Sequence, residues 1–259
     1  MLDYCTMTTH SIHVTEPINA FVFDCDCTLS FLEGIEVLAT ENGVGERVGE
    51  LTRYAMSEVG LLPDIYQERL ALVRPSRSQT IKLAQQYYAS RVPEIVSLIS
   101  VLQALGKAVY VVSAGINPAV KLFAGMLDVP ADNVFAVDVT FTEAGDYVGF
   151  DASAYPSQLA GKRKVADLIK LKHQRLVWIG DGMNDLVVKP DVERFIGYGG
   201  AEYRHKIAEN SDFYITCKSM SPALALGLTA QEATALDGEA RDLLQIGMSL
   251  IEAQSLEVR

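Results

Sequence analysis

Along the chain, short unbroken apolar runs alternate with longer stretches whose apolar positions recur every three or four residues. Ala20 to Phe23, Ala108 to Val112 and Leu176 to Ile179 are the three clearest runs. A short apolar run bounded by polar residues predicts a strand buried on both faces, the form that strands take in a parallel sheet. Further strands are predicted at 134–142 and 147–150, a hairpin around Ala144-Gly145-Asp146, and at 194–197 and 213–216. Helical spacing occupies 93–105, with Gly106 at its end, and 161–172. Asn117-Pro118 reads as a helix start, Asn as cap and Pro in the first turn, for a helix to about residue 127. Strands alternating with helices predict an α/β core, a parallel sheet flanked by helices.

One interval breaks that rhythm. From Glu33 to about Gln86 the apolar positions fall only at helical spacings, at 34–39, 46–57, 63–73 and 79–88. Pro63 suits a first helical position, and Pro75-Ser76-Arg77-Ser78 a turn. A small helical block inserted after the first strand predicts a cap over the crevice at the strand ends; the plainer alternative is a helical subdomain away from it. The organisation predicted is a tail at 1–17, a core built from 18–30 and 90–225, a helical cap at 31–89 and a helical extension at 226–259. Leu236, Ala240, Leu243, Leu244, Gly247, Leu250 and Ile251 form a stripe on that extension. Packing on its own domain is the preferred reading of the stripe, and a homodimer seam the second, so the chain is expected to be a monomer or a homodimer. His10 and His13 fall in the tail, read as loose.

The three apolar runs end in Asp24-Cys25-Asp26, Ser113-Ala114-Gly115 and Asp181-Gly182-Met183-Asn184-Asp185. Parallel strands place these ends along one edge, where ligands of open α/β sheets bind. Two carboxylates one residue apart can bind a hard cation or divide nucleophilic and proton-transfer work. On spacing alone, Asp24-x-Asp26 is as readily a solvated turn. Three such endings on one edge suit a phosphate and a metal. Lys162, at a helix start, adds a cation, though taken alone it reads as a surface lysine.

Composition narrows the partners. A net charge of −11 gives no support to nucleic-acid or anionic-membrane binding, but a few local cations can still receive a phosphorylated substrate. No apolar run is long enough to span a bilayer, and no Lys or Arg precedes Arg47, so the basic start of a signal peptide is missing. Cys5, Cys25, Cys27 and Cys217 form no zinc-ligand set and read as reduced thiols, so a cytoplasmic location is expected.

With these stretches laid out, the chain resembles the haloacid dehalogenase superfamily of phosphatases, and within it the phosphoserine-hydrolysing branch. Asp24-Cys25-Asp26-Cys27-Thr28 matches the D-x-D-x-T motif, Ser113 the second-motif serine, Lys162 the third-motif lysine, and Gly180-Asp181-Gly182-Met183-Asn184-Asp185 the fourth motif. Glu33-Gly34-Ile35, Glu68-Arg69-Leu70-Ala71-Leu72 and Phe195-Ile196-Gly197-Tyr198-Gly199-Gly200 are similar to the phosphoserine branch, and the likeness covers about 20–217. Two positions depart: Ala114 stands where a glycine is usual, and Leu62 where some relatives have Phe.

The resemblance implies a Rossmann-like core with the small helical cap. It also implies a Mg²⁺-dependent phosphomonoester hydrolase that releases L-serine and phosphate from L-phosphoserine through an aspartyl-phosphate. Asp24 is implied as nucleophile and Asp26 as general acid and base. Mg²⁺ would be held by Asp24, the Asp26 carbonyl and Asp181, with Asn184 and Asp185 in support. Thr28, Ser113, the Ala114 N–H and Lys162 would bind phosphate. Glu33 would meet the substrate ammonium and Arg69 its carboxylate, with Met56 and Leu62 lining the apolar part. The rival readings are a phosphatase for another small ester, a phosphoserine-dependent phosphotransferase, and a catalytically dead binding protein.

Overall fold

The computed structural model describes residues 12–56 and 63–258. Its centre is an eight-stranded sheet of order β4-β3-β2-β1-β5-β6-β7-β8. The strands are β1 (Ala20–Phe23), β2 (Ala108–Asn117), β3 (Val134–Phe141), β4 (Tyr147–Phe150), β5 (Leu176–Gly180), β6 (Arg194–Tyr198), β7 (Phe213–Ile215) and β8 (Leu256–Val258). Pairing is parallel from β3 through β7; the hairpin strand β4 and the last strand β8 are antiparallel to their neighbours. Alternation along β1 explains why it is apolar throughout. Phe21 and Phe23 enter one core cluster and Ala20 and Val22 the cluster on the opposite face. Each fully buried Phe is worth about 1.5–3 kcal/mol over exposure.

The first helices are α1 (Gly34–Glu41), α2 (Gly45–Met56), α3 (Pro63–Val73) and α4 (Arg77–Ala89), with no strand among them in the described residues. α1 packs against α2, α3 and α4, and α4 packs on α6 (Ala119–Met126) of the core, so the block sits against the sheet assembly. The chain reaches this block and leaves it side by side. Phe31 N donates to Ser90 O (3.0 Å), Val92 N to Leu29 O (3.0 Å), and Ser30 bridges antiparallel to Arg91. The remaining helices are α5 (Ile95–Ala104), α7 (Gly161–Lys170), α8 (Met183–Leu186), α9 (His205–Asn210), α10 (Pro222–Gly227), α11 (Ala230–Ala235) and α12 (Gly238–Glu252). No helix of the described residues is long and apolar enough to cross a membrane.

Four expectations need correction. The second strand does not stop at Ser113: β2 runs on to Asn117, with a register shift against β3 between Val112 and Ile116 that bulges Ser113–Gly115 out of the ladder. Asn117 makes no cap; its amide donates to Asp138 Oδ1 (2.8 Å), and α6 opens without a side-chain cap. The segment from Ile12 is not loose. Val14 is buried and bridges Thr229, and His13 Nδ1 lies 3.2 Å from Ala225 O; His10 lies outside the described residues. The C-terminal extension is not all helix, because β8 follows α12 and pairs with β7. On α12, Leu243 and Gly247 are buried within the chain while Ile246 is exposed.

Candidate active site

Register brings the candidate residues together. Phe23 is level with Val111 on one side and Ile179 on the other. The ends of β1 and β5 at Asp24 and Asp181 and the bulge of β2 at Ser113 therefore lie within a residue or two of one another along the sheet edge. Asp24 N still donates to Ile179 O (2.9 Å), which pins the turn to the sheet edge. A cavity opens there between the sheet edge and the helical block. Asp24, Asp26, Lys162, Asp181, Asn184 and Asp185 lie on its strand-end side, and Glu33, Tyr66, Arg69 and Tyr87 on the helical side.

Lys162 is 2 % exposed and ties two carboxylates together, with Nζ 2.8 Å from Asp24 Oδ1 and 2.8 Å from Asp185 Oδ1. It is no surface lysine. Burial opposes its charge, but Asp185 and Asp24 outweigh burial and hold the ammonium above its ordinary range. Asp185 Oδ1 also accepts from Trp178 Nε1 (2.9 Å). A Cβ at Gly180 would lie 2.2 Å from Asp185 Cγ, so this carboxylate fits only against a glycine.

Asp24, Asp181 and Asp185 each offer an oxygen within 4.8 Å of the others. Burial first, then Asp185, pushes the Asp24 carboxyl well above the usual range against the pull of Lys162. Burial lifts Asp181 to about 7, with Arg204 opposing and Asp185 adding to the rise. Asp181 Oδ2 lies 3.1 Å from Arg204 Nη2 but is buried and accepts no hydrogen bond among the described residues. Crowded buried carboxylates with an unsatisfied oxygen fit a hard divalent cation, whose charge would restore both groups to the ionised form. Asp185, already committed to Lys162 and Trp178, suits a supporting place better than a ligand's.

Asp26 turns away from that cluster. Its Oδ1 accepts from Gly34 N (2.7 Å) and Tyr87 Oη (2.5 Å), and its Oδ2 from Ser113 Oγ (3.2 Å). Ser113 Oγ in turn accepts from Gly115 N (2.8 Å). Ala114 is not among the positive-φ residues, so a side chain there costs nothing where relatives have glycine. Its carbonyl accepts from Tyr66 Oη (2.8 Å), a direct bond from α3 to the bulge.

Arg69 is 5 % exposed; Nη1 donates to Thr52 Oγ1 (3.2 Å), its guanidinium lies over the Tyr66 ring, and Nε has no hydrogen-bond partner among the described residues. Its neighbour Glu68 pairs instead with exposed Arg47. The Glu33 carboxyl is lifted to about 8, by burial first and then by Asp26, with Arg69 opposing. Thr28 is buried, its hydroxyl has no partner among the described residues, and it does not line the cavity. The Met56 side chain and Leu62 lie outside what the structure describes. Sequence reasoning missed Tyr66, Tyr87, Thr52, Trp178 and Arg204. Trp178, two residues before Gly180-Asp181, and Tyr66, two before Glu68-Arg69, stood beside motifs.

A family model for haloacid dehalogenase-like hydrolases matches residues 21–188. Human phosphoserine phosphatase is 38 % identical over 200 residues, covering 76 % of this chain and 89 % of its own. The chloroplastic phosphoserine phosphatase of Arabidopsis thaliana is 32 % identical over 202 residues, covering 76 % and 68 %. A solved phospho-aspartyl intermediate analogue of phosphoserine phosphatase shares the fold, with a TM-score of 0.71 at 22 % identity, over 81 % of this chain and 98 % of that one.

Proposed function

The chain belongs to the haloacid dehalogenase-like hydrolases, and from that premise we propose that it is a phosphoserine phosphatase, hydrolysing L-phosphoserine to L-serine and phosphate. The observation that carries this reading is the cavity itself: Glu33 and the buried, half-satisfied guanidinium of Arg69 face Asp24, Asp26, Asp181 and Lys162 across one space. A phosphate needs the second set. An α-amino acid's ammonium and carboxylate need the first.

Asp24 attacks phosphorus through its carboxylate oxygen. The bond from phosphorus to the seryl oxygen breaks, and that oxygen takes a proton from Asp26. Water then attacks the phosphoryl group on Asp24, gives its proton to Asp26, and restores both carboxyls. Lys162, held beside Asp24, lies where its charge can offset the phosphoryl oxygens. Asp24, Asp181 and the Asp26 carbonyl would hold Mg²⁺. When bound, the cation supplies charge stabilisation to the transferring group. Glu33 receives the ammonium; a cation beside it reverses the lift in its pKa, so substrate binding is coupled to loss of the Glu33 proton. Arg69 offers its unpaired Nε edge to the substrate carboxylate.

The test is phosphate release from L-phosphoserine, with Mg²⁺ and with EDTA, beside a panel of small phosphomonoesters. Metal-dependent turnover that favours phosphoserine, abolished in Asp24→Asn, is expected. Turnover of other esters with phosphoserine ignored would retain the chemistry and remove Glu33 and Arg69 from substrate recognition.

A further inference from the structure

We propose that Tyr87, on α4, is a positioning residue for Asp26, and that Gly34 is glycine so that the Tyr87 phenol can reach it. The proposal rests on the reading of Asp26 as proton donor to the leaving oxygen. Three donors fix the Asp26 carboxylate, and they come from separate parts of the chain. Gly34 N arrives from the start of α1, Ser113 Oγ from the β2 bulge, and Tyr87 Oη from a helix 61 residues away. At 2.5 Å the phenol makes the shortest of the three bonds. Tyr87 is 1 % exposed, and its ring stacks on Phe123 of α6 at 5.4 Å and 23°, which sets the direction of the hydroxyl.

The space around the hydroxyl is a second observation. A Cβ at Gly34 would lie 1.9 Å from Tyr87 Oη and 2.8 Å from Tyr87 Cζ, so any side chain at position 34 expels the phenol from Asp26. Gly34 has no positive φ, so its backbone conformation does not require glycine. The requirement is for room. With Gly34 N–H and Tyr87 O–H both on Oδ1, that oxygen is anchored. Oδ2, on the side of Ser113 and Gly115, is the oxygen left to exchange a proton with the seryl oxygen. Without the phenol the carboxyl can rotate about its terminal torsion, which is soft, and a misplaced acid of this kind costs up to about 100-fold in rate.

A tyrosine that merely fills the core would also form some hydrogen bond, so the test must separate the two roles. The measurement is kcat/KM, which reports only the steps through transfer to Asp24, for L-phosphoserine and for an aryl phosphate. The aryl ester's leaving group departs without a proton. Tyr87→Phe is expected to lower kcat/KM on phosphoserine about 10- to 100-fold and on the aryl phosphate less than about 3-fold. In the double variant with Asp26→Asn, the Tyr87→Phe loss should vanish, since the two residues act as a unit. Gly34→Ala keeps the N–H and displaces the phenol, with the Leu83 methyl at 3.1 Å giving by a few tenths of an ångström, so it should reproduce the same split if Tyr87→Phe folds poorly. Equal losses on both esters, no loss on either, or losses that add in the double variant would each overturn the proposal. If Asp26→Asn alone left phosphoserine turnover intact, the fault would lie in the role of Asp26, not in its link to Tyr87.

Discussion

Arg69 is a guanidinium held in a cavity wall with no ion pair among the described residues. Without a ligand it is an incompletely satisfied charge, so its removal should harm binding more than folding. Arg69→Ala is expected to raise KM for phosphoserine about 10- to 100-fold, the worth of a charged hydrogen bond, and KM for an aryl phosphate by less than about 3-fold. Equal rises on both would refute the carboxylate role. Glu33 makes a second prediction. Its carboxyl is lifted from 4.5 to about 8 in the folded chain, so the folded form keeps a proton that the unfolded chain releases. The sign follows: this group costs no stability below pH 4.5, and its cost grows as pH rises toward 8. Glu33→Gln should therefore raise the urea midpoint of the metal-free protein at pH 8.5 and leave it nearly unchanged near pH 4.5. A gain that is equal at both pH values would sink the assignment. The candidate residues Asp24, Ser113 and Asp181 were legible because motif and the end of an apolar run coincide in sequence. Tyr87 and Arg204 were not, because a Tyr at helical spacing looks like any core aromatic until a fold brings it 2.5 Å from a carboxylate.

α4 illustrates which elements could be read. Ser76 accepts from Gln79 N (3.2 Å) while the Gln79 side chain accepts from Ser76 N (2.9 Å), a reciprocal cap that starts the helix carrying Tyr87. Ser76→Ala should cost about 0.5–2 kcal/mol in chemical denaturation with kcat unchanged; a fall in kcat matching that of Tyr87→Phe would mean that the cap, not only the phenol, sets the geometry at Asp26. The apolar runs announced β1, β2 and β5 because strands buried on both faces need no polar alternation. The extension of β2 to Asn117 was hidden by Ser113, Ala114 and Gly115, whose chemistry reads as a loop and which bulge from the ladder before pairing resumes at Ile116. β8, three residues long, carries too short a pattern to signal anything; its pairing with β7 creates it.

Across the molecule, three buried carboxylates collect at one sheet edge against two cations, Lys162 and Arg204, and form a group that could hold a metal ion. Saturating Mg²⁺ should stabilise the folded form by about 2.7 kcal/mol at 100 times Kd, a rise in Tm of roughly 5–10 °C for a chain of this size. Asp181→Asn should abolish most of that rise. An unchanged Tm on adding Mg²⁺ to the native protein would exclude this edge as its site. The net charge of −11 foretold none of this local arrangement, because it sums over a surface while the site depends on a handful of buried groups. The bridge between Val14 and Thr229 was equally hidden, since no local signal links positions so far apart. Residues 29–31 and 90–92 lie side by side, hydrogen-bonded as a strand pair. To the sheet, everything between them is equivalent to a hairpin turn, whatever its length. Another insert with the same end spacing could close this junction without disturbing the strand register, but it would have to bring its own partners for Asp26, whose Oδ1 is held by Gly34 N and Tyr87 Oη from within the present one.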